Sequence, residues 1–115
     1  MLNWLKGLLG GNKDNVSISA AEAHTLIGSG ALLLDVRSRA ERQAQSIPGS
    51  KHVPIEQLAA QLKSLPVGKV IVCQCASGHR SGLAAQQLRA QGFDARSLRG
   101  GITAWKNAGL PVKKG

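Results

Sequence analysis

The sequence predicts an α/β fold, a mostly parallel central sheet with helices on both faces. Short unbroken aliphatic runs, "ALLLDV" at residues 31–36 and "KVIVCQC" at 69–75, have strand length and no polar alternation. Strands covered on both faces read this way. Segments with helical spacing stand between them, so strands and helices alternate along the chain. Hydrophobic residues make up 43% and aromatics only 3%, which points to an aliphatic, layered core.

Taken in order, "MLNWLKGLLG" wound at about 100° per residue puts Met1, Leu2, Trp4, Leu5, Leu8 and Leu9 on one arc. Asn3, Lys6, Gly7 and Gly10 fall opposite. Ten residues are too few for a stable lone helix, so this arc needs the domain's own flank, a partner or a membrane surface to cover it. Weak contact of Trp4 with anionic lipid, drawn by Lys6 and Lys13, is one expectation. "GGNKDN" then forms a joint. Residues 1–15 therefore read as an amphipathic segment and linker, and 16–115 as one domain, a size that buries a modest core without staples.

Ser19 followed by Glu22 has capping-box spacing and opens a helix over "AAEAHTLIG", closed by Gly28 and Gly30. The run 31–36 is a strand. Ser38 and Glu41 repeat the capping box and predict a second short helix. "IPGS" makes a turn, "KHVP" a brief strand, and "IEQLAAQLKSL" has helical spacing at Ile55, Leu58, Leu62 and Leu65. After the next strand, "SGLAAQQLRAQG" is a helix ended by Gly92, "FDARSL" a last strand and "GGITAWKNAG" a closing helix.

Fifteen Lys and Arg against six Asp and Glu give a net charge of +9, a field that attracts anions. Nucleic acid is not the expected partner, because Trp4, Phe93 and Trp105 are the only aromatics and are too scattered to make a stacking platform. Cys73 and Cys75 are the only cysteines, one residue apart, and read as a reduced pair. No apolar run approaches the ~18 residues of a membrane span and no basic leader is evident, so cytoplasmic residence is expected.

Parallel α/β sheets place ligands beyond the carboxyl ends of their strands. Two loops qualify, residues 35–39 and residues 75–80. The second, "CASGHRSG", leaves a strand at Cys75 and enters a helix through Ser81, where unpaired N–H groups and the positive end of the helix dipole welcome an anion. If that anion is the sulfur of Cys75 itself, the same field, with Arg80 nearby, lowers the thiol pKa and supplies a nucleophile without a separate base. His24, His52 and His79 have no evident carboxylate partner for a catalytic pair.

"CASGHRSG" resembles the active loop of the rhodanese-like sulfurtransferases, Cys-x4-Arg with glycine inside. "LLLDVRS", "IPGS" and "LRGGITAW" resemble that family's other signatures in order and spacing, over residues 17 to about 112. The resemblance implies a rhodanese-like domain and thiosulfate sulfurtransferase activity. A sulfane sulfur passes from thiosulfate or another small anionic donor to Cys75 and on, as a persulfide, to a thiol or cyanide. It further implies that the amides of Ala76, Ser77, Gly78, His79 and Arg80 cradle the terminal sulfur, and that Arg80 and Ser81 brace the loop inward. Asp35 and Arg37 match the family's Asp-x-Arg and support the loop's edge. Arg37 and Arg39 also draw anionic donors. Gly100 and Gly101 allow a tight turn, with Trp105 as packing. Departures are Gln45 and Ser46 in place of Gly-His, Arg42 in place of an aromatic, and Ala76 in place of a frequent arginine.

Other readings of the same residues compete. A cysteine-dependent phosphatase or arsenate reductase resembles Cys-x5-Arg, and this loop is one residue shorter, a smaller ring that suits a single sulfur atom. A binding or sulfur-relay module acting on a partner protein's thiol is the alternative from another class. Metal is not expected, because Cys73, Cys75 and His79 offer three ligands where four are usual. No cofactor is expected either: Gly28-Ser-Gly30 follows a helix and lacks the third glycine of a dinucleotide loop. Cys73 reads as core packing, or else as a thiol able to resolve an oxidised Cys75.

Overall fold

A computed structural model describes residues 16–115. The amphipathic arc and joint expected over 1–15 lie outside the described residues.

Five strands, β1 (Ser17–Ile18), β2 (Leu32–Asp35), β3 (Lys51–His52), β4 (Ile71–Gln74) and β5 (Ala95–Leu98), form one sheet in the order β1-β5-β4-β2-β3. Every pairing is parallel. The register sets Leu34 beside Cys73 and Cys73 beside Ser97, so the ends of the three central strands lie side by side.

Side-chain alternation divides the aliphatic residues into two cores. On one face Leu34, Ile71, Cys73 and Ala95 pack with Leu58, Leu65, Ala84, Ala85 and Leu88. On the other, Ile18, Leu33, Val72 and Leu98 pack with Ala20, Ala23, Ile102 and Trp105. The first face is covered by α3 (His79–Ala90) and a 3-10 segment, Ile55–Ser64; the second by α1 (Ala20–Gly28) and α4 (Gly101–Asn107). The remaining helix, α2 (Arg39–Ala44), has no buried residue.

Both capping boxes form. Ser19 Oγ accepts from the Glu22 amide at 3.1 Å, and the Ser19 amide donates to Glu22 Oε1 at 2.9 Å. The same exchange joins Ser38 and Glu41 at 3.2 and 3.0 Å. At the far end of α1, Gly30 takes φ +108°, its amide donates to the Ile27 carbonyl and the Ala31 amide to that of Leu26. That is the Schellman ending, whose left-handed residue favours glycine.

Two features differ from the expectation. Strand β1 was not foreseen: at two residues it carries no readable pattern, and it is held by neighbours, with the Arg99 amide donating to the Ile18 carbonyl and Ser97 to Val16. The segment from Ile55 winds as 3-10 rather than α. Ile55 and Leu58 are three apart, as are Leu62 and Leu65, and three residues per turn returns each pair to the same side. Among the described residues no helix is long and apolar enough to cross a membrane.

Candidate active site

Cys75 directly follows β4 at the carboxyl edge of the sheet. Gly78, at φ +106°, turns the chain from the strand's end into α3 and occupies that helix's N-cap position. A side chain there would be strained in backbone and would press to 3.1 Å from the Gly100 amide. The turn is tight enough that the loop curls over the sulfur of its own first residue.

The Gly78 amide donates to Cys75 Sγ at 3.0 Å and the Ser81 amide at 3.3 Å. Ser81 Oγ lies 3.5 Å from the sulfur and 2.8 Å from Ser97 Oγ, and donates to the Gly78 carbonyl at 3.2 Å. When Cys75 is neutral its S–H can donate to this hydroxyl. When the sulfur is ionised, the hydroxyl can turn and donate to it while Ser97 donates in turn.

The amides face inward because the carbonyls are held outward. The Cys75 carbonyl accepts from the Ile102 amide at 2.9 Å and from Gln74 Nε2 at 3.0 Å, and the Ala76 carbonyl accepts from Thr103 Oγ1 at 3.3 Å. Helix α4 approaches this closely because its first residue is Gly101, at φ +60°. A Cβ there would stand 2.5 Å from the carbonyl carbon and oxygen of Ala76. Gly100, at φ +77°, precedes it as the helix N-cap.

Cys75 is 1% exposed. Burial opposes its ionisation, but the Ser81 hydroxyl and the amides of Ser81, Gly78 and Ser77 together outweigh burial, and the thiol lies below its ordinary value. Cys73, two residues earlier on the same face, is fully buried without such donors. Burial first, and then the charge of Cys75, push it up to about 12. Both are free thiols, one prepared to ionise and one held neutral.

The amides bonded to Cys75 Sγ itself are those of Gly78 and Ser81. Ser81, beyond the loop named from sequence, contributes both its amide and its hydroxyl. The His79 and Arg80 amides belong to the first turn of α3, which has no intrahelical acceptors for them. The side chains of Ser77 and His79 are exposed. Arg80 does not turn in to the sulfur. Its guanidinium grips Glu41 of α2 through two bonds, Nη1 to Oε1 at 2.7 Å and Nη2 to Oε2 at 2.9 Å.

Asp35 and Arg37 form a buried, two-pronged ion pair at the end of β2, with Nη2 to Oδ2 at 2.8 Å and Nε to Oδ1 at 2.9 Å. Arg37 also donates to the carbonyls of Gln45 at 2.7 Å and Glu41 at 3.4 Å, which ties α2 to the strand end. Arg42 adds a bond to Asp35 at 3.2 Å and two to Ser50. This cluster meets the cysteine loop in two ways, through α2 and the Glu41 to Arg80 pair, and directly across the sheet, where the Val36 amide donates to the carbonyl of Gln74 at 2.9 Å.

Glu41 and Ser97, with Gln74 and Thr103 that hold the loop carbonyls, are not singled out by the sequence. Glu41 was accounted for as a capping residue, and nothing in "FDARSL" marks Ser97. Cys73, Cys75 and His79 do not gather around a metal position: among the described residues no group of three or more His, Cys, Asp or Glu could hold one. The two described cavities, of about 420 and 320 Å³, are lined by residues such as Ala21, Thr25 and Arg96, and Ser29, Lys69 and Val70, none of them in the loop.

Comparison with known proteins gives the same frame. A sulfurtransferase of Allochromatium vinosum is 35% identical over 100 residues, 86% of this chain and 91% of its own length. A thiosulfate sulfurtransferase GlpE of Pseudomonas savastanoi is 34% identical over 90 residues, 77% of this chain and 85% of that one. Other relatives are longer, and this chain spans only 58% of one and 16% of another. The crystal structure of a rhodanese-related protein from Thermoplasma volcanium superimposes with a TM-score of 0.80 at 34% identity, covering 86% of this chain and 98% of that one. The rhodanese-like domain family matches residues 19–108, and the chain belongs to that family.

Proposed function

We propose that this chain is a sulfurtransferase that carries a sulfane sulfur on Cys75, takes it from thiosulfate or a comparable anionic donor, and delivers it to a thiol or cyanide. The observation that carries this reading is the sulfur of Cys75 held under the Gly78 and Ser81 amides, with its pKa lowered.

In the first half-reaction the Cys75 thiolate attacks the outer sulfur of thiosulfate. An S–S bond forms to Cys75, the bond to the sulfonate sulfur breaks, and its electron pair leaves with sulfite. In the second, an acceptor thiolate or cyanide attacks the terminal sulfur of the persulfide. The Cys75 thiolate departs as leaving group, and the product is an acceptor persulfide or thiocyanate. No proton need move in either step when both sulfurs react as anions. The residues' task is to hold negative charge, and inward amides do so without reorganising.

The chain's part is then to capture, hold and release one sulfur in a reducing compartment such as the cytoplasm, where Cys75 stays free. A thiol on a partner protein is within the same chemistry. Intact mass after incubation with thiosulfate tests the proposal: one added sulfur, removed by reductant and absent in Cys75→Ser, is expected. No addition to the wild-type chain would overturn it.

A further inference from the structure

Arg80 is the one arginine of the cysteine loop, and the loop's second position is Ala76, so its side chains offer an incoming anion a single guanidinium. That guanidinium is already paired. Both Glu41 oxygens are bonded to it, Oε1 also accepts from the Ser38 amide and hydroxyl at 3.0 Å, and the two side chains are only about one-third exposed. A carboxylate with four such bonds is fixed. Its pKa falls to about 2, chiefly through Arg80, so it stays charged wherever the chain is folded at ordinary pH. Arg80 still senses the charge of Cys75.

Resting on the sulfur-transfer reading, we propose that Glu41 is a specificity-determining residue that neutralises Arg80 and so limits how strongly the site draws an anionic donor to Cys75. Of the arginines around α2, Arg37 and Arg42 are bound to the buried carboxylate of Asp35, and Arg39, exposed at the first position of α2, has no ion pair among the described residues. A cysteine loop whose one guanidinium is paired to Glu41 favours sulfur donors of low charge over dianions. An organic persulfide, with one charge, loses less than thiosulfate, with two.

Glu41→Gln removes the charge with the smallest change of shape: its one oxygen can keep the contacts of Oε1 to Ser38 and Arg80 Nη1, while its amide nitrogen replaces the acceptor of Arg80 Nη2. Glu41→Asp keeps the charge, and Glu22→Gln removes the equivalent capping carboxylate of α1, which senses the charges of Arg99 and Arg96 instead. The readout is Cys75 alkylation, located by mass, with iodoacetate and with neutral iodoacetamide. The two reagents react at the same kind of carbon and differ in charge, so a merely loosened loop moves both rates together.

The iodoacetate to iodoacetamide rate ratio is expected to rise about threefold to tenfold in Glu41→Gln and to stay at the wild-type value in Glu41→Asp and Glu22→Gln. KM for thiosulfate falls by a similar factor, with kcat within about twofold. An unchanged ratio in Glu41→Gln, an equal rise in Glu22→Gln, or parallel loss of both rates overturns the proposal. A raised ratio in a protein that takes sulfur neither from thiosulfate nor from an organic persulfide leaves Glu41's charge effect standing and refutes the sulfur-transfer reading instead.

Discussion

Ser81 carries more of the thiol's ionisation than its place behind the loop suggests, because its hydroxyl and its amide both address the same sulfur. The hydroxyl is the largest of the influences lowering the Cys75 pKa, so Ser81→Ala is expected to raise it while leaving the backbone cradle in place. Iodoacetamide alkylation at pH 7 should slow by about threefold to tenfold and recover as pH is raised. A rate unchanged by the substitution would mean that the amides alone suffice. The other cysteine makes the opposite statement about stability. Unfolded, Cys73 ionises near its ordinary 9.0, whereas the folded chain holds it neutral to about 12. In that window the native state binds one more proton, so its stability declines as pH rises, by up to about 1.4 kcal/mol per unit. Cys75 works with the reverse sign, adding stability above its lowered pKa that is lost as pH falls through it. With no tyrosine in the chain, the alkaline window is free of phenol titration. Urea unfolding at about pH 8 and about pH 11 should therefore show a flatter loss in Cys73→Ala than in wild type, whatever the cavity costs both points.

Two helices make the loop what it is: α3 supplies amides and α4 restrains carbonyls. Gly101 is where they meet. Gly101→Ala forces a Cβ into the Ala76 carbonyl at a left-handed φ, and should cost about 2–4 kcal/mol in denaturant unfolding and abolish sulfur loading. Gly82, inside α3 with nothing within 4 Å of an added Cβ and no positive φ, is the contrasting case. Gly82→Ala should stabilise by roughly 0.5–1 kcal/mol with sulfur loading intact. The difference shows what was legible. Strands β2 and β4 declared themselves because burial on both faces selects unbroken aliphatic runs, and α1 and α2 because a capping box is a local bond between residues three apart. Cys75 and its glycine-bearing loop were visible for the same reason, since a tight turn into a helix is encoded within a few residues. The Glu41 to Arg80 pair was not: it joins residues 39 apart and exists only because β2 and β4 lie side by side. Ser97 reaches Ser81 through the β4 to β5 pairing in the same way. Strand β1 likewise depends on its neighbours rather than on its own sequence.

At the scale of the whole chain, a net charge of +9 would be unremarkable to a neutral substrate but not to a dianion. That charge is already net of all six acidic residues, and most of the described ones are held locally. Asp35, Glu41 and Asp94 are each paired with arginine, and Glu22 caps its own helix. Lys51, Lys63, Lys69, Lys106, Lys113 and Lys114 have no ion pair among the described residues. Two effects of opposite reach thus act on a donor: a broad positive field that gathers it, and a local carboxylate that denies it Arg80. They separate by salt. The broad field is screened beyond about 10 Å at 0.1 M ionic strength, whereas amides in contact with the sulfur are hardly screened. Raising ionic strength from about 0.02 to about 0.3 M should lower kcat/KM for thiosulfate by about twofold to fivefold and leave iodoacetamide alkylation of Cys75 unchanged. Equal loss with both reagents would mean that salt acts on the loop itself. No loss with either would mean that donor capture depends on the amide cradle alone, with the surface charge serving some other contact.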